Sequence, residues 1–178
     1  MTDGFDDVLQ PPEVVAARFT DDGTFPNNAG LPLLVYREAF APEHRTAATL
    51  EDVFRARRWG GTWRNGIYGY HHYHSTAHEV LGVARGAARV RLGGPEGQTF
   101  DVAAGDVIVI PAGVAHKNLG ASADFLVVGA YPEGQRWDMN PGRPGERPRV
   151  DQNIARVPLP AMDPVYGPAG PLAEHWNL

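Results

Sequence analysis

The chain contains no cysteine among its 178 residues, which excludes a disulfide framework, a thiolate nucleophile and a cysteine-ligated zinc site. A large excess of one charge is also missing, because the formal net charge is only −5 at pH 7. A nucleic-acid interface requires lysine and arginine gathered on one face. The short basic run at 55–58 lies in a predicted helix, where we interpret it as a solvated face.

Long apolar runs are absent as well, since no stretch approaches the roughly eighteen apolar residues of a membrane span. The first seven residues are acidic and lack the apolar segment of a signal peptide. No glycine-rich loop opens a predicted helix, and no Gly-x-Ser-x-Gly motif occurs, so neither phosphate-loop nor serine-hydrolase chemistry has support. We therefore expect a cytoplasmic protein that binds neither membranes nor nucleic acids.

A chain of this length is predicted to form a single domain, 1–178, with an apolar core that needs no covalent staples. Three zones differ in composition. They are an N-terminal arm with a helix (1–59), a β-rich core (about 60–131) and an arm rich in proline and glycine (132–178).

The N-terminal zone is predicted to contain two short strands and one helix. Apolar runs at 12–19 and 31–36, divided by a turn-rich segment, indicate the strands. Helical spacing of apolar residues predicts a helix over 49–58, and Thr49 with Asp52 forms a candidate capping box at its start.

The middle zone alternates short β-rich runs with glycine turns, and no helical pattern interrupts it. Many short strands with regular turn signals are typical of a sandwich or barrel rather than of βαβ units, so the predicted fold class is all-β. The predicted strands cover 62–68, 79–84, 88–92, 99–102, 107–110 and 125–131.

The C-terminal zone resembles a disordered tail in its proline and glycine content, yet it carries large apolar side chains such as Trp137, Val165 and Trp176. Because exposing such side chains to water is costly, we expect an irregular arm that packs on the barrel. Long terminal arms also add readily to the sheet edge of a neighbouring subunit, which predicts a homodimer.

Two segments of the middle zone, 72–79 and 111–116, concentrate metal-ligand side chains. Alternate side chains of a strand share a face, so His72 and His74 point to one side, within reach of a single ion. About forty residues later His116 follows a proline and a glycine that position it. These spacings suit convergence inside a β-barrel.

One ligand position has two candidates, His78 and Glu79, because neighbours in a strand face opposite sides. An ionised glutamate in a dry barrel costs several kcal/mol unless it is paired. A divalent ion removes this cost and returns on the order of 10 kcal/mol of binding energy. The residue types therefore favour a metal site over an ordinary polar cluster.

The spacing of these residues follows two recognisable signatures. They read Gly66-x5-His72-x-His74-x4-Glu79-x6-Gly86 and Gly105-x5-Pro111-x-Gly113-x2-His116. The chain thus resembles the cupin superfamily, which implies a double-stranded β-helix, or jelly-roll, barrel. The residue sequences at 72–82, 105–118 and 127–132, with those at 21–28 and 163–167 near the two ends, look like the YjlB-like bacterial cupins. That group supplies no reaction.

The resemblance implies that the metal ligands are His72, His74, Glu79 and His116, with His78 outside the ligand set. The second cupin signature usually ends in an asparagine four residues after its histidine, where this chain has Gly120. Asn118 stands two residues earlier, and its role is left open.

Mixed imidazole and carboxylate ligands suit one divalent ion of iron, manganese, nickel, cobalt, copper or zinc. Four protein ligands leave up to two octahedral positions open, as a catalytic site requires. We therefore predict a metal-dependent enzyme for a small organic molecule, with oxygenase chemistry first and isomerase chemistry second. The alternative is a non-catalytic binding or sensing cupin. Tyr70, two residues before His72, is a candidate proton donor.

Overall fold

The computed structural model describes residues 4–178; the first three residues of the acidic N-terminal segment lie outside this range. Within it, nine strands and three α-helices occur. The elements are β1 (Glu13–Phe19), β2 (Asn28–Arg37), a 3₁₀ helix (Pro42–His44), α1 (Ala47–Ala56), β3 (Trp59–Asn65), β4 (Glu79–Arg85), β5 (Ala87–Leu92), β6 (Gln98–Ala103), β7 (Val107–Ile110), β8 (His116–Ala121), β9 (Leu126–Pro132), α2 (Arg149–Ile154) and α3 (Pro171–Trp176).

The strands form two antiparallel sheets, which confirms the predicted all-β jelly-roll barrel. One sheet has six strands in the order β1-β2-β7-β4-β9-β3, and the other has three in the order β6-β5-β8. The predicted N-terminal strands join the larger sheet, where β2 pairs with β7. Strand β8 was not predicted from the sequence, because its residues are largely polar.

Two apolar clusters lie on opposite sides of the larger sheet. In β2, Leu33 and Val35 belong to the cluster shared with the smaller sheet, whereas Leu34 and Tyr36 belong to the cluster beneath α1 and α3. Alternate side chains of this strand are therefore buried on both faces, as a continuous apolar run requires. Among residues 4–178, no helix is long and apolar enough to cross a membrane.

Helix α1 covers the larger sheet with the predicted face of Leu50, Val53 and Phe54, all fully buried. Its approach to β4 is so close that a Cβ on Gly82 would lie 2.6 Å from the Leu50 side chain. Any larger residue at 82 would therefore displace the helix.

The predicted start of α1 is wrong by about one turn. The N-cap is Thr46, whose Oγ1 accepts a hydrogen bond from the Thr49 amide at 3.1 Å, so Thr49 and Asp52 do not form the cap. The interpretation of 55–58 as a solvated face also needs correction. Arg57 is only 6% exposed, and its Nε donates to the carbonyl of Val165 in the C-terminal arm.

The C-terminal arm packs on the barrel as predicted. Val165, Leu172 and Trp176 are buried beneath the larger sheet. The buried Asp163 anchors this part, because its carboxylate accepts hydrogen bonds from the Tyr36 hydroxyl at 2.6 Å and from three backbone amides of the arm. Four donors satisfy a charge that would otherwise be costly to bury.

Candidate metal centre

The structure brings together the four side chains that the cupin resemblance implied. His72 and His74 lie in the extended segment before β4, Glu79 begins β4, and His116 begins β8. Each is at most 6% exposed. His72 and His116 exchange two backbone hydrogen bonds, of 3.2 and 2.9 Å, so their rings lie side by side with centroids 4.1 Å apart.

The three imidazoles share one orientation because each Nδ1 contacts a backbone carbonyl. An Nδ1–H that donates to a carbonyl leaves the lone pair of a neutral ring on Nε2. The carbonyls are those of Tyr70 for His72 (3.0 Å), Asp138 for His74 (2.5 Å) and Val114 for His116 (3.2 Å). One ring nitrogen from each histidine lies within 4.8 Å of the other two.

Glu79, the first residue of β4, completes the arrangement. Its Oε2 lies 3.2 Å from Nε2 of His74 and 3.3 Å from Nε2 of His116. With the rings neutral, these atoms are all acceptors, and Oε2 has no hydrogen-bond donor within the described residues. Buried acceptors that converge without a donor are typical of a cation-binding site.

The charge preferences of the cluster agree with this interpretation. Burial alone would lower the pKa of His74, but the carboxylate of Glu79 raises it above its ordinary value. Burial would likewise raise the pKa of Glu79, but His74 and His116 lower it. Burial, with the neighbouring His116, lowers the pKa of His72 to about 3.

The cluster therefore stabilises positive charge beside Glu79 and keeps His72 neutral. A proton on His74 would satisfy one pair of atoms, whereas a divalent ion would satisfy the three histidine nitrogens, which lie within 4.8 Å of one another. The residues present thus fit a metal ion.

His78, the other candidate for the fourth position, has different partners. Its Nδ1 accepts a hydrogen bond from the Ala112 amide at 2.9 Å, and its ring packs on Trp176 with centroids 4.7 Å apart. Asn118 also lies away from the histidines in its contacts, since its Oδ1 accepts from the Gly120 amide at 2.8 Å. It supports the backbone of β8 rather than the cluster.

The C-terminal arm holds one of the histidines in place, a contact that sequence reasoning missed. The Asp138 carbonyl accepts the His74 Nδ1–H, while the Asp138 carboxylate accepts hydrogen bonds from the Ser75 amide (2.6 Å) and hydroxyl (2.5 Å). Burial alone would raise the pKa of Asp138, but the bonds from Ser75 help to lower it, so the carboxylate is ionised. No sequence pattern links residues sixty positions apart.

A second chain of hydrogen bonds fixes the far side of Glu79. The Tyr131 hydroxyl donates to Oε1 of Glu79 at 3.1 Å and accepts from Nε1 of Trp63 at 2.8 Å. Burial and the nearby carboxylate raise the pKa of Tyr131, which keeps the phenol a donor. Gly129 makes room for Trp63, because a Cβ there would lie 2.1 Å from the indole. Oε2 is thereby turned toward the histidines.

The cluster opens into a cavity of about 370 Å³. Tyr70 does not line it; the ring is 46% exposed and stacks on Tyr68, so its role as a proton donor stays a prediction. Arg64 lines the cavity but is bonded by both carboxylate oxygens of Glu51, at 2.8 and 3.0 Å. The remaining lining residues are Gly61, Trp63, Asn65, Gly66, Ile67, Tyr68, His72, His74, Glu79, Leu81, His116, Tyr131, Trp137 and Met139.

Comparison with known structures gives matches of low similarity. Procruciferin, an 11S globulin from Brassica napus, has a TM-score of 0.37 at 16% identity, over 76% of this chain and 28% of its own. Oxalate decarboxylase from Bacillus subtilis has a TM-score of 0.34 at 16% identity, over 74% and 28%. Acireductone dioxygenase from Bacillus anthracis has a TM-score of 0.33 at 22% identity, over 48% and 57%. The chain therefore spans about a quarter of the first two proteins.

Sequence comparison is more informative. Residues 63–129 match the Cupin domain family. The uncharacterized protein YjlB of Bacillus subtilis is 42% identical over 158 residues, which cover 89% of this chain and 93% of YjlB. On this evidence the chain belongs to the cupin superfamily, in the group that contains YjlB.

Proposed function

We propose that this cupin is a metal-dependent enzyme that acts on a small organic molecule. One observation carries the proposal. Three buried imidazoles and the carboxylate of Glu79 converge at the wall of a cavity of about 370 Å³, and when the rings are neutral Oε2 has no hydrogen-bond donor in the part of the chain that the structure describes. A cavity of this size is typical of small-molecule sites.

His72, His74 and His116 would hold the ion, with Glu79 as the proposed fourth ligand. When bound, iron, manganese, nickel, cobalt, copper or zinc would supply Lewis acidity, and the redox-active ions among them electron transfer. The protein's own contribution is to fix the ligands. Carbonyls orient the imidazoles, and Tyr131 turns Glu79 Oε2 toward them. The cavity beside the cluster would give a small molecule access to the ion, which supports oxygenase chemistry first and isomerase chemistry second.

Elemental analysis of protein purified without a metal-affinity step tests the site. We expect about one divalent transition-metal ion per chain, lost in His72→Ala and retained in His44→Ala, a half-buried histidine outside the cluster. Oxygen consumption with a panel of small organic substrates then tests the reaction. Metal retained by His72→Ala would contradict the proposed metal site. A metal-loaded protein that turns over no substrate would contradict the proposed enzymatic function.

A non-catalytic binding or sensing role is the second candidate, and one observation favours it. Apart from the four cluster residues, the described lining of the cavity carries no carboxylate or histidine. Its remaining titratable side chains are the phenols of two tyrosines and the paired Arg64. Proton-transfer groups are thus few. Tight binding of a small molecule by the metal-loaded protein, with no change in that molecule, would support this role over catalysis.

We also propose the homodimer that the terminal arms predicted. Within residues 4–178, β1 is an edge strand of the larger sheet, and its Val15 is 38% exposed. An exposed edge strand pairs readily with another chain. Light scattering is expected to give twice the mass of the chain, and a monomer would contradict the proposal. The cytoplasmic location, and the absence of nucleic-acid and membrane partners, stay predictions.

A further inference from the structure

Three exposed aromatic rings lie at or beside the cavity of the histidine cluster: Tyr68 and Trp137 line it, and Tyr70 stacks on Tyr68. Tyr68 and Trp137 are each 51% exposed, and Tyr70 is 46% exposed. Isolated exposed apolar residues are ordinary, but a group of large ones beside a cavity is typical of a binding surface. These three rings lie near the cluster rather than in the apolar core.

Together with the buried Tyr131, these rings form two nearly parallel pairs, each beside a different histidine of the cluster. Tyr68 stacks on Tyr70, with centroids 5.1 Å apart and 22° between the ring planes, and Tyr68 contacts the edge of His72. Trp137 stacks on Tyr131 at 6.2 Å and 25°, and contacts His74 in a T-shaped geometry at 5.7 Å. A molecule bound at the histidines would therefore lie beside aromatic rings.

The charge and size of the cavity limit which molecules fit the site. Arg64 is the one cationic side chain among the described lining residues, and Glu51 already neutralises it with two hydrogen bonds. A second anionic group on the ligand would find no free partner there. A cavity of about 370 Å³ lies near the lower end of the range for small-molecule sites, so it suits a small ligand.

We infer that the substrate of this site is a small planar molecule, one aromatic or conjugated ring with a metal-chelating group and no second charge. The inference rests on the proposed metal-binding function. Trp137 and Tyr68 are its specificity-determining residues, since both rings line the cavity beside the histidines. Planar rings gain from stacked or edge-to-face contacts, worth about two- to tenfold in affinity for each contact.

Four hydroxamates that share one chelating group test the inference on protein loaded with Zn²⁺, which prevents redox turnover. Calorimetry measures the dissociation constants of benzohydroxamate, cyclohexanecarbohydroxamate, acetohydroxamate and succinic monohydroxamate. We expect benzohydroxamate to bind about tenfold more tightly than the cyclohexane analogue, which is as apolar but not planar. Succinic monohydroxamate, with its carboxylate tail, is expected to bind no better than acetohydroxamate.

Substitutions then locate the effect. Trp137→Leu and Tyr68→Leu keep apolar area but remove a ring, so each is expected to weaken benzohydroxamate binding about fivefold and leave acetohydroxamate unchanged. Leu159→Ala, at an exposed residue of the same arm outside the cavity, serves as the control. Equal binding of the planar and non-planar probes, or no effect of the two variants, would overturn this inference alone. Failure to bind Zn²⁺ would overturn the proposed function with it.

Discussion

Removal of the Asp138 carboxylate is expected to loosen both the C-terminal arm and the metal site. In Asp138→Ala the backbone carbonyl that faces His74 remains, but the two bonds from Ser75 to the carboxylate are lost. Ser75 is fully buried, so its amide would have no replacement partner. The arm is then no longer held at the level of His74.

The size of the effect follows from these contacts. A hydrogen bond to a charged group contributes about 1.5–3 kcal/mol, and an orphaned buried donor costs about 1–3 kcal/mol. Asp138 is half-buried, and the Ser75 hydroxyl keeps a contact with the Asn153 side chain at 3.0 Å, which reduces the loss. We expect the free energy of unfolding to fall by about 2–4 kcal/mol in Asp138→Ala and by about 1 kcal/mol in Asp138→Asn, which keeps one acceptor.

Metal affinity provides the second and more diagnostic measurement. Groups that orient a ligand histidine typically contribute 10- to 100-fold to metal affinity, and we expect a loss of about that size in Asp138→Ala. Urea denaturation of the EDTA-treated protein and competition with a chromophoric chelator give the two quantities. Glu174→Ala, at an exposed acid of the same arm, is the matched control. A destabilised variant with unchanged metal affinity would refute the idea that the arm orients His74.

Three further predictions concern the core. Gly129→Ala places a Cβ 2.1 Å from the Trp63 indole and should lower the free energy of unfolding by about 1–3 kcal/mol, with an altered near-ultraviolet circular dichroism spectrum. Tyr36→Phe removes one of four donors to the buried Asp163 and should cost about 1.5–3 kcal/mol in urea denaturation; an unchanged midpoint would contradict this. Burial lowers the pKa of His78 to about 4, so the unfolded chain binds this proton first as the pH falls. The free energy of unfolding of the metal-free protein should therefore fall by about 3 kcal/mol between pH 6.5 and 4 because of this group, and by less in His78→Gln.

The side chains that meet at the candidate site were predictable because they lie in two short segments. Strand alternation puts His72 and His74 on one side, and the family spacing pointed to Glu79 over its neighbour. The contribution of Asp138 was not predictable, since it depends on where an irregular arm lies in three dimensions. No periodicity records such a contact.

Local ambiguity explains the two errors near α1. Thr46 and Thr49 are equally good N-cap residues by type, and only the structure shows which hydroxyl faces a free amide. Arg57 is exposed by residue type but lies under the C-terminal arm, where Val165 supplies an acceptor. The polar strand β8 was not predicted for a related reason. It is a strand because it pairs with β5, and its own residues show no apolar pattern.

Strand β3 forms a wall of the cavity that is joined to the larger sheet by a single strand ladder. It is an edge strand whose only sheet neighbour within residues 4–178 is β9, and their register shifts between Gly60 and Trp63. Displacing β3 breaks one ladder, whereas displacing β4 or β9 breaks two. Amide hydrogen exchange should therefore be fastest in β3 among these three strands. The β3 side of the cavity is therefore expected to be the first part of this sheet to open.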